Sequence, residues 1–110
     1  MNAYLRQNIQ REQERRDAIR QTGLAARETA DQLIRSAHEQ ASAKGSSPIT
    51  GIKELTVAVE QMRRAYFDMS ATEKASPIGL ALEADIKRAN EAITVIRKYN
   101  QSLLGAQQND

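Results

Sequence analysis

Apolar residues recur every three or four positions along two stretches of the chain. In the first stretch the repeat consists of Ile49, Ile52, Leu55, Val59, Met62, Tyr66 and Met69. In the second it consists of Ile78, Leu82, Ile86, Ala89, Ile93, Ile96 and Leu103. Asn100 interrupts this second stripe. Such spacing places the residues on one face of an amphipathic helix. The pattern therefore predicts helices over about residues 48–69 and 77–104.

Serine–proline pairs precede both predicted helices, at Ser47-Pro48 and Ser76-Pro77. Serine caps a helix N-terminus, and proline at the first helical position loses no needed donor. Between the helices, Ser70 and Glu73 have the spacing of a capping box. Gly105 is expected to end the second helix, leaving a frayed tail over 106–110. Because the linker is short, the two helices should form an antiparallel hairpin.

The N-terminal segment is rich in the helix formers Ala, Gln, Glu and Arg, but its apolar pattern is thin at the start. Thr22-Gly23 is a plausible interruption. After it, an alanine-rich stripe consists of Ala26, Ala30, Leu33, Ile34, Ala37 and Ala41. The segment predicts a helix over 24–43, preceded by an arm, 1–23, that is either a separate helix or mobile. The fold expected is all-α: an antiparallel hairpin plus an N-terminal helix in a domain spanning 24–110, assembled as a dimeric bundle.

A second set of small and apolar residues lies off the two main stripes. On the first hairpin helix Gly51, Ala58 and Ala65 are spaced by seven, and small residues at regular spacing let another helix approach closely. Several apolar residues away from the core stripes also suggest a second buried face. The predicted protein interface consists of Val57, Ala58, Ala65, Phe67, Leu80, Ala92, Val95 and Tyr99. The N-terminal segment, a second copy or a partner protein would cover it.

Charge and composition narrow the class of protein. The chain has 16 Lys and Arg against 14 Asp and Glu, with a net charge of +2. The arginines of the arm alternate with Glu12, Glu14 and Asp17, which is typical of a solvated helix rather than a nucleic-acid surface. No cysteine is present, no apolar run approaches the ~20 residues of a membrane span, and the N-terminus lacks a signal-peptide core. We therefore expect a cytoplasmic protein without a membrane partner, and the charge pattern favours a protein partner over nucleic acid.

The sequence contains no recognisable catalytic or metal-binding motif. His38 is the only histidine, and no second ligand accompanies it. Glu28 and Asp31 share one helix side with Arg27 and Arg35, but the Glu-x-x-His pattern of a di-metal bundle is absent. Nucleophile-elbow and phosphate-binding glycine motifs are also absent. We therefore expect no enzymatic activity, no metal and no cofactor.

The segment from Leu55 to Gly105 resembles the helical hairpin of quorum-sensing anti-activators of the TraM and QslA kind. The matching features are a helix ending in Ala65-Tyr66-Phe67-Asp68-Met69-Ser70, a polar linker with Glu73, Lys74 and Pro77, and a second helix closing on Ser102-Leu103-Leu104-Gly105. The resemblance implies a small helical dimer that binds a LuxR-type transcription activator and keeps it from its promoter.

Two other classes of function remain open from the sequence. One is a structural or assembly component, such as a coiled-coil subunit of a phage or a secretion system, which would self-associate without a fixed size. The other is a helical DNA-binding protein, whose affinity would fall steeply with salt.

Overall fold

The computed structural model describes residues 2–43 and 47–108. Its elements are α1 (Ala3–Ser42), α2 (Ile52–Asp68), the short α3 (Ala71–Lys74) and α4 (Pro77–Gln108). No strand occurs within the described ranges. The all-α prediction is therefore confirmed.

The three long helices run alternately up, down and up. Along α1, Gly23 lies against Ala65 whereas Leu33 lies near Gly51, so α2 is antiparallel to α1. Tyr66 contacts Glu83 and Ile49 contacts Asn100, so α4 is antiparallel to α2. It follows that α1 and α4 are parallel. The molecule is elongated, 72 × 27 × 18 Å, and the 40-residue α1 alone is about 60 Å long at the rise of an α-helix.

The predicted hairpin of α2 and α4 is present, and its stripes form the core. Leu55, Met62 and Leu82 are the largest side chains that are fully buried. Every buried side chain among the described residues is apolar, and none is aromatic. Ile78 departs from the pattern, since it is exposed at the start of α4.

The predicted break at Thr22-Gly23 is wrong, because α1 is continuous through both residues. Gly23 is buried, and a Cβ there would overlap the Cβ of Ala65. Glycine thus serves the close approach of two helices at this point, which outweighs its poor helix propensity. Beyond it, Ala26, Ala30, Ile34 and Ala37 are buried as the alanine-rich stripe predicts, whereas Ala41 is exposed.

Helix α2 begins at Ile52 and not at Pro48, which corrects the predicted start. The backbone N–H of Ile49 donates to Asn100 Oδ1 (2.8 Å), and Asn100 Nδ2 donates to the Ile49 carbonyl (3.1 Å). The N–H of Thr50 donates to Gln40 Oε1 (2.9 Å). These bonds tie the segment before α2 to α4 and α1, and Gly51 then enters the helix with a φ of 96°, where glycine is favoured. The predicted linker residues 44–46 lie outside the described ranges.

The capping box at Ser70 is confirmed, and it initiates α3. The Ser70 side chain accepts from the Glu73 N–H (3.2 Å), and Glu73 Oε1 accepts from the Ser70 N–H (3.3 Å). Helix α4 begins at Pro77 as predicted but continues to Gln108, so Gly105 does not end it. Gly105 lacks the positive φ of a helix-terminating glycine. Of the predicted tail, residues 109–110 lie outside the described ranges.

Candidate functional site

The structure divides the predicted interface into residues buried inside the molecule and residues exposed on its surface. Ala58 and Ala65 are buried, and α1 packs over them. Placing these two alanines in a partner interface is therefore wrong. Of the N-terminal segment, a second copy and a partner protein, the N-terminal segment covers them. Ala92 and Tyr99 are half-buried on α4. Four large apolar residues remain exposed, namely Val57, Phe67, Leu80 and Val95.

Val95 lies on a groove between the C-terminal half of α1 and α4, which we call the α1–α4 groove. Its volume is about 280 Å³, and it is lined by Ile34, Ala37, His38, Ala41, Ile49, Arg88, Glu91, Ala92, Val95 and Ile96. The three isoleucines are buried, whereas Val95 is 65% exposed. Three of the lining residues, Ala37, Ala41 and Ala92, have small side chains that project little into the groove. The groove therefore presents apolar surface that a further helix can approach closely.

Two ion pairs join α1 to α4 at one end of this groove. Arg27 Nε lies 2.6 Å from Asp85 Oδ2, and Arg88 Nη2 lies 2.8 Å from Asp31 Oδ1. Arg88 is thus occupied by a carboxylate of the molecule itself. Glu91, on the rim of the groove, forms no ion pair within the described ranges, and Lys87 lies one turn before it on α4.

Phe67 lies on a second surface, between α1 near Ile19 and the C-terminal end of α2. This depression of about 600 Å³ is lined by Arg15, Ile19, Arg63, Arg64, Phe67 and Asp68, and we call it the basic groove. The predicted interface included Phe67 but not Arg63 and Arg64. The available signal was two adjacent arginines one turn before an aromatic residue off the core stripe.

Val57 lies farther along the contact between α1 and α2. It lines a shallower depression together with Thr29, Lys53, Glu54, Ala58 and Gln61. Val57 and Val95 therefore belong to different surfaces, although the sequence pattern grouped them in one interface.

The N-terminal part of α1, Ala3–Ala18, is exposed along its whole length. It is shorter than the predicted arm of residues 1–23, and from here on the arm means Ala3–Ala18. Asn2 caps it by accepting the Leu5 N–H (2.9 Å). Tyr4, Leu5 and Ile9 are large apolar residues exposed on it. The arm is thus a continuation of α1 and not a separate helix.

The titratable groups form no reactive cluster within the described ranges. No group of three or more His, Cys, Asp or Glu side chains there could hold a metal ion, and His38 is exposed. Tyr66 donates to Glu83 Oε2 (2.8 Å), and this hydrogen bond raises the pKa of the tyrosine. The pKa of Glu12 is lowered chiefly by its hydrogen bond with Arg15. These shifts arise from pairs of surface residues.

None of the helices described combines the length and the apolar character needed to cross a bilayer. Comparison of the chain with protein-family models, with curated proteins and with solved structures gave no match. Function is therefore inferred from the chemistry of the surface.

Proposed function

We propose that this protein is a non-enzymatic regulatory binding protein that sequesters a partner protein. A helix of the partner docks in the α1–α4 groove. The observation that carries the proposal is the exposed apolar rim of that groove, with Val95 65% exposed above buried isoleucines. On the evidence of the sequence resemblance, a LuxR-type transcription activator is the first partner to test.

The helix arrangement favours a helical occupant. α1 and α4 run in the same direction, so a helix laid between them and antiparallel to both would complete an up-down-up-down arrangement. Helix axes pack about 8–10 Å apart, and the small side chains of Ala37, Ala41 and Ala92 permit the lower part of that range.

The charges at the groove specify the chemistry of that helix. Its inward face must be apolar to cover Val95 and the isoleucines below it. A lysine or arginine beside the apolar stripe would meet Glu91, which has no ion pair among the described residues. The expected partner segment is therefore an amphipathic helix with a basic flank.

A matched pair of valine substitutions tests the proposal. Val95→Glu places a charge in the α1–α4 groove, whereas Val57→Glu makes the same change at an exposed valine outside it. The wild type and both variants would serve as baits in the native host, with bound proteins identified by mass spectrometry. The purified partner, with a LuxR-type activator as first choice, would then be titrated calorimetrically against all three.

We expect Val95→Glu to weaken binding of the partner about tenfold or more, and Val57→Glu to leave it nearly unchanged. Circular dichroism should show the same helix content in all three proteins. Equal binding by wild type and Val95→Glu would contradict the proposal, and so would recovery of nucleic acid alone.

A second candidate, an assembly component, is favoured by the exposed arm. Leu5 and Ile9 continue the same helix face as Ile19 and Gly23. A second copy of the arm would pair antiparallel, because parallel pairing places Glu12 against Glu12 and Arg16 against Arg16. An antiparallel pair of arms closes at two copies, so open-ended growth needs a second self-contact besides the arm. Light scattering over a concentration series separates the candidates: growth beyond a dimer supports assembly, whereas a fixed monomer or dimer supports the regulator. Loss of self-association in Leu5→Glu would assign the contact to the arm.

A further inference from the structure

The basic groove contains two arginines, Arg63 and Arg64, that form no ion pair among the described residues, although Glu60 lies within one turn of both on α2. Asp68 lies 3.9 Å from Arg20 Nε and 4.0 Å from Arg16 Nε, so its carboxylate is already shared by two arginines. Arg15 is held by Glu12 at 2.7 Å. Within the described ranges Arg63 and Arg64 have no ion pair, and both are exposed.

An aromatic ring stands among these cations. Phe67 is 85% exposed, which makes it the most exposed large apolar residue described. Lys74 Nζ lies 5.7 Å from the centre of its ring. Ile19, half-buried on α1, lines the same groove. Aromatic residues, phenylalanine included, and arginine are enriched at protein interfaces relative to the rest of the surface.

We propose that the basic groove binds a short acidic segment of another protein. Carboxylates of that segment pair with Arg63 and Arg64, whose planar guanidinium groups can each donate two parallel hydrogen bonds to one carboxylate. An aromatic or aliphatic side chain of the segment packs against Phe67 and Ile19. A neighbouring depression, lined by Ala18, Thr22 and Gln61, continues the groove along α1 and α2.

The surroundings of the groove favour a protein segment over nucleic acid. A phosphate backbone needs an extended track of unopposed positive charge. Here the two unpaired arginines lie at one place, and Glu12, 2.7 Å from Arg15, lies beside them on α1. A short acidic peptide needs only the contact with Arg63 and Arg64.

This site is independent of the α1–α4 groove. Measured along α1, Ile19 and Ala37 are about 27 Å apart at the rise of an α-helix. The two surfaces also require opposite chemistry, since the α1–α4 groove favours a basic flank and the basic groove an acidic segment. Failure at one site therefore leaves the other untouched.

The test uses the full chain and two matched double variants. R63E/R64E reverses the charge of the two unpaired arginines in the groove. R97E/K98E reverses two consecutive exposed basic residues on α4 that do not line it. Each protein would be immobilised and used to select from a random peptide library. A fluorescent peptide made from the best-enriched sequence and a fluorescent oligo-dT strand would then be titrated against all three by anisotropy.

We expect the wild type to enrich peptides with net negative charge and at least one aromatic or leucine residue. R63E/R64E should weaken binding of the chosen peptide about tenfold or more, because the double substitution removes two ion pairs and adds repulsion between like charges. F67A should weaken it several-fold, and R97E/K98E should leave it nearly unchanged.

Three results would overturn the proposal. One is selection without any acidic bias. Another is equal loss of binding in the two double variants, which shows attraction to net charge alone. The third is tighter binding of oligo-dT than of the peptide, which assigns the groove to nucleic acid. Circular dichroism of R63E/R64E, with both positions exposed, checks that the fold is retained.

Discussion

The two halves of α1 are built from the same kinds of residue but have different surroundings. Both are rich in Ala, Gln, Glu and Arg. From Ala3 to Ala18 every residue is exposed, whereas from Ile19 to Ser42 one face is covered by α2 and α4. Helix propensity is thus sufficient to extend α1, but it does not decide where α1 is packed.

What separates the halves is the residue type along one helix face. In the packed half this face has Gly23, Ala26 and Ala30, which are small and allow close contact. In the arm the same helix face carries Glu12 and Arg16, whose charges would be costly to bury without partners. The change from charged to small residues marks the point where the bundle begins.

The largest expected difference comes from the same substitution made in each half. Ile34 is 7% exposed in the packed half and Ile9 is 54% exposed in the arm. Ile34→Ala should lower the free energy of unfolding by about 2–4 kcal/mol through lost burial and a cavity. Ile9→Ala should change it by less than about 0.5 kcal/mol. Urea unfolding followed by circular dichroism measures both, and equal losses would show that the arm is packed in solution.

A second substitution tests the close approach of α1 and α2. Gly23→Ala introduces a Cβ that overlaps Ala65, so it should destabilise the bundle by about 1–3 kcal/mol despite the better helix propensity of alanine. Adding Ala65→Gly removes the overlapping atom and should restore part of the loss. Thermal unfolding of the two single variants and the double variant gives the coupling. A stabilising Gly23→Ala would mean that the helices lie farther apart.

Most of the fold follows from periodicity. The stripes on α2 and α4 predict the hairpin because a three-to-four repeat has a direct structural meaning. Gly23 is misread because the same residue that breaks a helix also permits close helix contact, and only the position of Ala65 decides between them. Asn100 appears as a gap in a stripe, but its amide binds the backbone of Ile49, which is distant in sequence.

The candidate sites are only partly predictable. Val57, Phe67, Leu80 and Val95 lie off the stripes and are exposed in the single chain, and their role in an interface stays a prediction. The structure places Val95, Phe67 and Val57 on three separate surfaces, and this division depends on which helix covers which flank, which is a property of tertiary packing. Arg63 and Arg64 become distinctive only once Asp68 is seen to be shared by Arg16 and Arg20.

A smaller effect should appear on acidification, and it should again differ between the halves. Glu73 has a lowered pKa, chiefly because the Ser70 N–H donates to its carboxylate, and Arg20 of α1 lies 2.7 Å away. A carboxyl with a pKa lower in the folded than in the unfolded state stabilises the fold above its usual pKa. That contribution is lost as the pH falls through the lowered value. Glu73→Gln should therefore reduce the loss of stability between neutral pH and about pH 3.

The control for Glu73 lies in the arm. The pKa of Glu12 is also lowered, first by its hydrogen bond with Arg15, but that pair joins two residues of one helical turn. Glu12→Gln should leave the acid dependence of bundle unfolding unchanged, as measured by urea unfolding at each pH. An equal reduction by Glu73→Gln and Glu12→Gln of the change in unfolding free energy with pH would contradict this prediction.

The smallest expected effect is that of removing most of the arm. A chain starting at Asp17 loses no buried residue, so its midpoint of thermal unfolding should match that of the full chain within about 2 °C. In the full chain, amide hydrogen exchange should be fast over the arm and slow from Gly23 to Gln40, because only the latter part is held by packing. If a second copy pairs with the arm, protection there rises with protein concentration, while protection of the packed half stays constant. Hydrogen exchange measured at two concentrations thus shows whether the exposed half of α1 stands alone or is half of an assembly.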